Sequence, residues 1–240
     1  MSYPHPDLMV MNESWSDLSK VREMPAINFD GLYRYRVERL RAEMRTRGIG
    51  MTMLVNPISL RYAAEYRTYA LFQSHIPTTY VFVPVEGPLT IFSAYSATEN
   101  VSDVRPGRPI HYFEGGEETT NYADDLAGDI VEYLREIGDS TNRVALEYVN
   151  PSITRALDRR GIDVADGVLV SEAARVIKNE DEIACIKWAC AVAQLGIDKV
   201  KEAIRPGVTE LQLWALLNYT NLANNGDWHD GRMLASGERI

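Results

Sequence analysis

Apolar residues recur at helical spacing between Leu32 and Arg47. Tyr33, Val37, Leu40 and Met44 share one face, with arginines and glutamates between them. Gly48 then serves as a C-cap, and the apolar run Met51–Val55 predicts a buried strand. Asn56-Pro57 reads as a turn. Two further apolar runs, Thr79–Val85 and Leu89–Ser93, are joined by Glu86-Gly87-Pro88 and predict an antiparallel hairpin. Pro84 has no N–H for a ladder, so the first of these strands ends there or lies at an edge. A helix over Ala123–Ile137 stopped by Gly138, a strand over Val144–Tyr148 and a short helix over Ser152–Arg160 stopped by Gly161 continue the alternation to about residue 175. The expected fold class is α/β with a mixed sheet, because a hairpin must be antiparallel.

The pattern changes after that point. Ile183, Ile186, Cys190, Ala193, Ile197, Val200 and Ile204 form a long apolar stripe, preceded by Asn179 and Glu182 at capping-box spacing. Arg205-Pro206-Gly207 stops this helix, and Thr209 with Gln212 repeats the capping logic for a second helix that runs to Gly226. Gly231 to Ser236 is expected to return to strand, with Met233–Ser236 as its body and Gly237 as the turn. Three regions are therefore expected: an irregular arm over 1–28, marked by Pro4, Pro6 and Pro25; an α/β domain over 29–175; and the opening of a second domain over 176–240. A strand with no partner leaves backbone groups unsatisfied, so the chain is expected to be the front of a longer protein.

Composition narrows the function classes. A formal net charge of −9 argues against a nucleic-acid surface. No apolar run approaches the ~20 residues of a membrane span, and the first residues lack a basic n-region and an apolar h-region. Cys185 and Cys190 match no metal or redox spacing and are expected as small core residues. The expectation is a cytoplasmic protein without disulfides. Gly115 and Gly116 lie in an acidic stretch with no lysine, which reads as a solvated loop and not as a phosphate site. No Gly-x-Ser-x-Gly setting supports a serine nucleophile.

Several pieces in order carry a resemblance. Ile177-Lys178 with Glu182-Ile183, then Ala189, then Arg205-Pro206-Gly207-Val208-Thr209-Glu210, then Ala235-Ser236-Gly237, is similar to the opening of the pita-bread catalytic domain of Xaa-Pro aminopeptidases, prolidases and creatinases. The stretch from Asn56-Pro57 to Tyr62 resembles an element of the same family's amino-terminal domain. Residues 61–75 and 226–240 look most like a branch that includes dimethylsulfoniopropionate lyases. The resemblance implies a dinuclear centre of divalent Mn, Fe, Co or Zn held by two Asp, one His and two Glu. All five would lie beyond the Ala-Ser-Gly strand end, so the chain itself is expected to bind no metal and to lack activity. It further implies a homodimer acting on a small-molecule or short-peptide substrate. In the hydrolase reading, metal-activated water attacks an amide carbonyl; in the lyase reading, a base removes a proton beside a carboxylate-bearing carbon; a non-catalytic dimerisation module is the third reading.

Four residues are candidates for the substrate pocket. Trp228 precedes the expected active-site strand, where it is either a cavity wall or a core aromatic. Arg232, with Ser236, borders that strand; a guanidinium fork suits a substrate carboxylate as well as a surface ion pair. Phe72 and His75 lie in a loop that, by resemblance, reaches the neighbouring subunit's active-site mouth; plain loop packing is the alternative. His229 reads as a hydrogen-bonded surface residue, and Tyr62, Tyr66 and Tyr69 as core or dimer contacts.

Overall fold

The computed structural model describes residues 23–93, 98, 100–227, 229, 231 and 233–239. They fall into two compact units, Phe29–Asn179 and a second built from the described parts of 1–28 and 180–240. Most of the arm expected over 1–28 lies outside the described residues.

The first unit is a six-stranded mixed sheet. Its strands are β1 (Met51–Leu54), β2 (Tyr80–Pro84), β3 (Thr90–Phe92), β4 (Asp103–Arg105), β5 (Arg143–Leu146) and β6 (Asp163–Asp166), in spatial order β4-β3-β2-β1-β5-β6. The expected hairpin is present: β2 pairs antiparallel with β3, in the register Tyr80 with Phe92. β2 is also antiparallel to β1, whereas β1–β5, β5–β6 and β3–β4 are parallel. Pro84 ends β2, which has neighbours on both sides.

Strand alternation builds two cores. Met51, Met53, Tyr80, Phe82, Phe92, Val144 and Leu146 face one side, where they meet α5 (Thr119–Glu136) and α6 (Pro151–Asp158). Tyr80 stacks on Phe92 at 4.9 Å, and Phe82 meets Tyr133 edge-on at 5.1 Å. Leu54, Val81, Val83, Ile91 and Ala145 face the other side, against α1 (Phe29–Thr46), α2 (Pro57–Ala64) and α7 (Gly167–Val176). α1 buries Leu32, Val37, Leu40 and Met44, the face its spacing predicts. Arg39 donates to the carbonyls of Ala173 and Ala174, and Tyr62 Oη donates to Ala174 as well, so the end of α7 is tied by side chains from α1 and α2.

The structure corrects several sequence expectations. Asn56-Pro57 is not a free turn: it caps and opens α2. Residues 70–75 are not a loop but the short helix α3 (Ala70–His75). The acidic Gly115-Gly116 stretch belongs to α4 (Tyr112–Gly115) and a following 3-10 turn. Tyr62 and Tyr66 are buried in the core, while Tyr69 is exposed.

In the second unit, α8 (Glu180–Ala203) and α9 (Glu210–Ala223) pack together. Thr209 and Gln212 form the expected capping box, with both reciprocal bonds present. The apolar stripe predicted for α8 does not face its partner: Ile183, Ile186, Ile197 and Ile204 are exposed. Trp188, Ala191, Val192 and Leu195 pack together instead. Cys190 is exposed and Cys185 half-buried, which corrects their reading as core residues. Residues 233–236 are not a strand, and a 3-10 turn covers Gly237–Arg239. A strand needs a neighbouring ladder for its amides, and none of the described residues supplies one there. None of the described helices is long and apolar enough to cross a membrane.

Candidate functional site

β1 and β5 are parallel neighbours, so their carboxyl ends open on the same edge of the sheet. In open α/β sheets that edge is where clefts form. Each strand leads into an eight-residue helix that begins with Asn-Pro. Asn56 Oδ1 accepts from Ile58 N at 2.9 Å and opens α2; Asn150 Oδ1 accepts from Ile153 N at 3.1 Å and opens α6. Proline suits the first helical position because the N–H it lacks would be unpaired there. The Asn150 amide also donates to Ile110 O at 2.9 Å, fixing the chain that enters α4.

Glu147, directly after β5 and only 1% exposed, locks this edge. One carboxyl oxygen accepts from Val55 N at 3.0 Å and Asn56 N at 3.1 Å; the other accepts from Ser59 Oγ at 2.7 Å. The next residue, Tyr148, takes φ of 40°, a left-handed conformation that costs a non-glycine residue about 1 kcal/mol or more. Its ring is exposed.

Between these loops lies a cleft of about 440 Å³, within the range of small-ligand sites. Val55, Ile110 and Ile153 form apolar wall; Gln73, His75, His111 and Tyr148 also line it. Gln73 is buried and holds the carbonyls of Val55 and Thr79 at 3.0 and 2.7 Å. Of the sequence candidates, His75 lines this cleft. Phe72, one turn earlier on α3, meets Phe113 edge-on at 6.1 Å. His111, Tyr148 and Asn150 were not singled out by sequence reasoning. The repeated Asn-Pro, at 56–57 and again at 150–151, is a sequence signal for the helix start at Asn150; no such signal marks His111.

Trp228 and Arg232 lie outside the described residues. Nearby, His229 Nδ1 is 2.8 Å from Asn218 Oδ1 and its ring packs 5.1 Å from Trp214; Ser236 donates to Glu210 at 2.6 Å. Both therefore have structural partners. Among the described residues no group of three or more His, Cys, Asp or Glu is placed to hold a metal ion, so they do not fit the implied dinuclear centre.

One cluster of the first unit's charges lies elsewhere, beside α5. Arg108 pairs with Asp129 at 2.7 Å, and Arg105 bridges Asp103 and Glu136. Hydrogen bonds from Arg160 and Arg159 hold the Asp124 carboxyl well below the usual carboxylate range. Burial pushes the Tyr80 hydroxyl up, and its oxygen accepts from Arg108 N at 3.0 Å. The arginines and carboxylates pair with one another, so they read as a solvated ion-pair surface.

Comparison with known proteins agrees with this architecture. The Creatinase/Prolidase N-terminal domain family matches residues 36–177. A dimethylsulfoniopropionate lyase from Roseobacter denitrificans is 29% identical over 217 residues, covering 86% of this chain and 48% of that protein. Its counterpart from Roseovarius nubinhibens is 28% identical over 234 residues, covering 93% and 50%. The chain thus spans about half the length of the curated relatives it matches. Among solved structures, the Xaa-Pro dipeptidase from Bacillus anthracis superposes with a TM-score of 0.51 at 21% identity, covering 78% of this chain and 48% of that one. The prolidase from Pyrococcus horikoshii gives 0.52 at 15% identity, covering 77% and 47%. At such identities these two establish the shared fold alone.

Proposed function

We propose, from the premise that this chain belongs to the Creatinase/Prolidase N-terminal domain family, that it forms the amino-terminal part of a metal-dependent enzyme. The observation that carries this reading is the match to relatives of twice its span, all described as enzymes. In that reading Phe29–Asn179 is the amino-terminal domain, and α8 with α9 opens the catalytic domain. Two divalent ions, of Mn, Fe, Co or Zn, would supply Lewis acidity and an activated water in the remaining part. The ligands of these ions would come from that remaining part. The working form is a cytoplasmic homodimer that takes a short peptide or another small molecule.

Hydrolysis of an Xaa-Pro amide is the first reading, supported by the fold shared with a dipeptidase and a prolidase. Lyase chemistry on a dimethylsulfoniopropionate-type substrate is the second. The observation that favours it is the sequence identity to two lyases, higher than that to either peptidase structure. The test uses a protein extended to its relatives' length and loaded with Mn²⁺. Release of proline from glycyl-proline supports the hydrolase, and release of dimethyl sulfide from dimethylsulfoniopropionate supports the lyase. Neither product, from a folded and metal-loaded protein, overturns both readings.

A further inference from the structure

The hydrogen bonds of the two cleft histidines favour opposite neutral tautomers. His75 Nδ1 lies 2.7 Å from the carbonyl oxygen of Leu71. A carbonyl only accepts, so Nδ1 carries the proton, and the neutral ring presents Nε2 as an acceptor. His111 Nδ1 accepts from Phe113 N–H at 3.1 Å, so its proton sits on Nε2, which is a donor. The cleft thus holds one imidazole acceptor and one imidazole donor, from different elements.

Its other features narrow the ligand. No Asp, Glu, Lys or Arg lines it among the described residues, although a quarter of the chain is charged. An ionic ligand would find no permanently charged partner there. The Asn56 and Asn150 side chains already occupy Ile58 N and Ile153 N at the two helix starts. A metal ion is disfavoured as well: His111 could ligate through Nε2 only by moving its proton to Nδ1, against the Phe113 N–H. What remains is a neutral group that carries both a donor and an acceptor, next to apolar wall at Val55, Ile110 and Ile153 and the exposed ring of Tyr148.

We propose that this cleft binds a neutral carboxamide bearing an apolar or aromatic substituent, with its N–H donating to His75 Nε2 and its carbonyl accepting from His111 Nε2–H. The inference rests on the Phe29–Asn179 unit and is independent of the reaction assigned to the longer enzyme.

The probe is 2-phenylacetamide, titrated into the full chain while the ¹⁵N-coupled ring signals of both histidines are followed. The expected result is saturable binding that shifts both rings together, with Nδ1–H on His75 and Nε2–H on His111 in the free protein. Methyl phenylacetate, which lacks the donor, and phenylacetate, which is charged, bind about tenfold more weakly or worse. His75→Asn and His111→Asn are chosen because an asparagine side chain can keep the Nδ1-type bond to the local backbone while deleting Nε2. Each weakens the amide about tenfold with the backbone spectrum otherwise retained. Equal affinity for amide and ester, no saturable shift, the same tautomer on both rings, or unchanged affinity in both variants would each overturn the proposal.

Discussion

Glu147→Ala lowers the unfolding free energy of the Phe29–Asn179 unit by about 3 kcal/mol or more, the larger of the two stability effects expected here. Three donors converge on this side chain: Val55 N, Asn56 N and Ser59 Oγ. The residue is buried, and each backbone N–H left without an acceptor costs its own desolvation, on the order of 1–3 kcal/mol. Methylene burial lost with the side chain adds to that. Glu147→Gln separates hydrogen bonding from charge. A glutamine carbonyl can keep both backbone amides, and its NH₂ can donate to a Ser59 hydroxyl that turns to accept. The glutamine variant is therefore expected to lose only about 1 kcal/mol. Urea denaturation of both variants measures this. Equal losses for Ala and Gln would mean that charge, and not hydrogen-bond geometry, holds the β1–α2 junction.

Gly167→Ala is expected to cost about 3 kcal/mol, at the upper end for overpacking, because backbone rather than a side chain has to yield. A Cβ at Gly167 would stand 2.7 Å from the carbonyl carbon of Leu146 and 2.9 Å from Glu147 N. Relief requires α7 to move away from β5, at the place where Asp166 caps α7 by accepting from Val168 N at 2.8 Å. Gly128 supplies the contrast. It lies inside α5, and an added Cβ there meets nothing within 4 Å. Gly128→Ala is expected to stabilise by roughly 0.5–1 kcal/mol through helix propensity alone. Thermal melts of the two variants should move in opposite directions, and a neutral Gly167→Ala would show that α7 does not sit as tightly on β5 as the geometry requires.

Elements buried on a regular face were legible in the sequence. The apolar runs of β1, β2 and β5 and the 3.6-residue period of α1 and α5 are direct consequences of which side meets the core. Short elements were not. Asn-Pro is equally a turn signal and the ideal opening of a helix, so α2 was hidden inside a predicted turn. β4 is three residues, Asp-Val-Arg, and forms because Thr90 to Phe92 offer it a parallel edge, not because of its own pattern. α8 failed differently. Its isoleucine stripe is real, but the face packed within the described residues is that of Trp188, Ala191, Val192 and Leu195. The cleft was half legible. His75 stood out as a candidate, but His111 and Asn150 join it only through contacts made across the fold, such as Asn150 Nδ2 to Ile110 O.

The central claim is that this chain is the amino-terminal part of a metal-dependent enzyme, and the most direct measurement is to read the coding DNA beyond the codon for Ile240. The expected result is an open frame of roughly domain length that brings two Asp, one His and two Glu in that order. A stop codon directly after Ile240, or a long frame without that ligand series, would contradict it and leave the Phe29–Asn179 unit as a binding module in its own right.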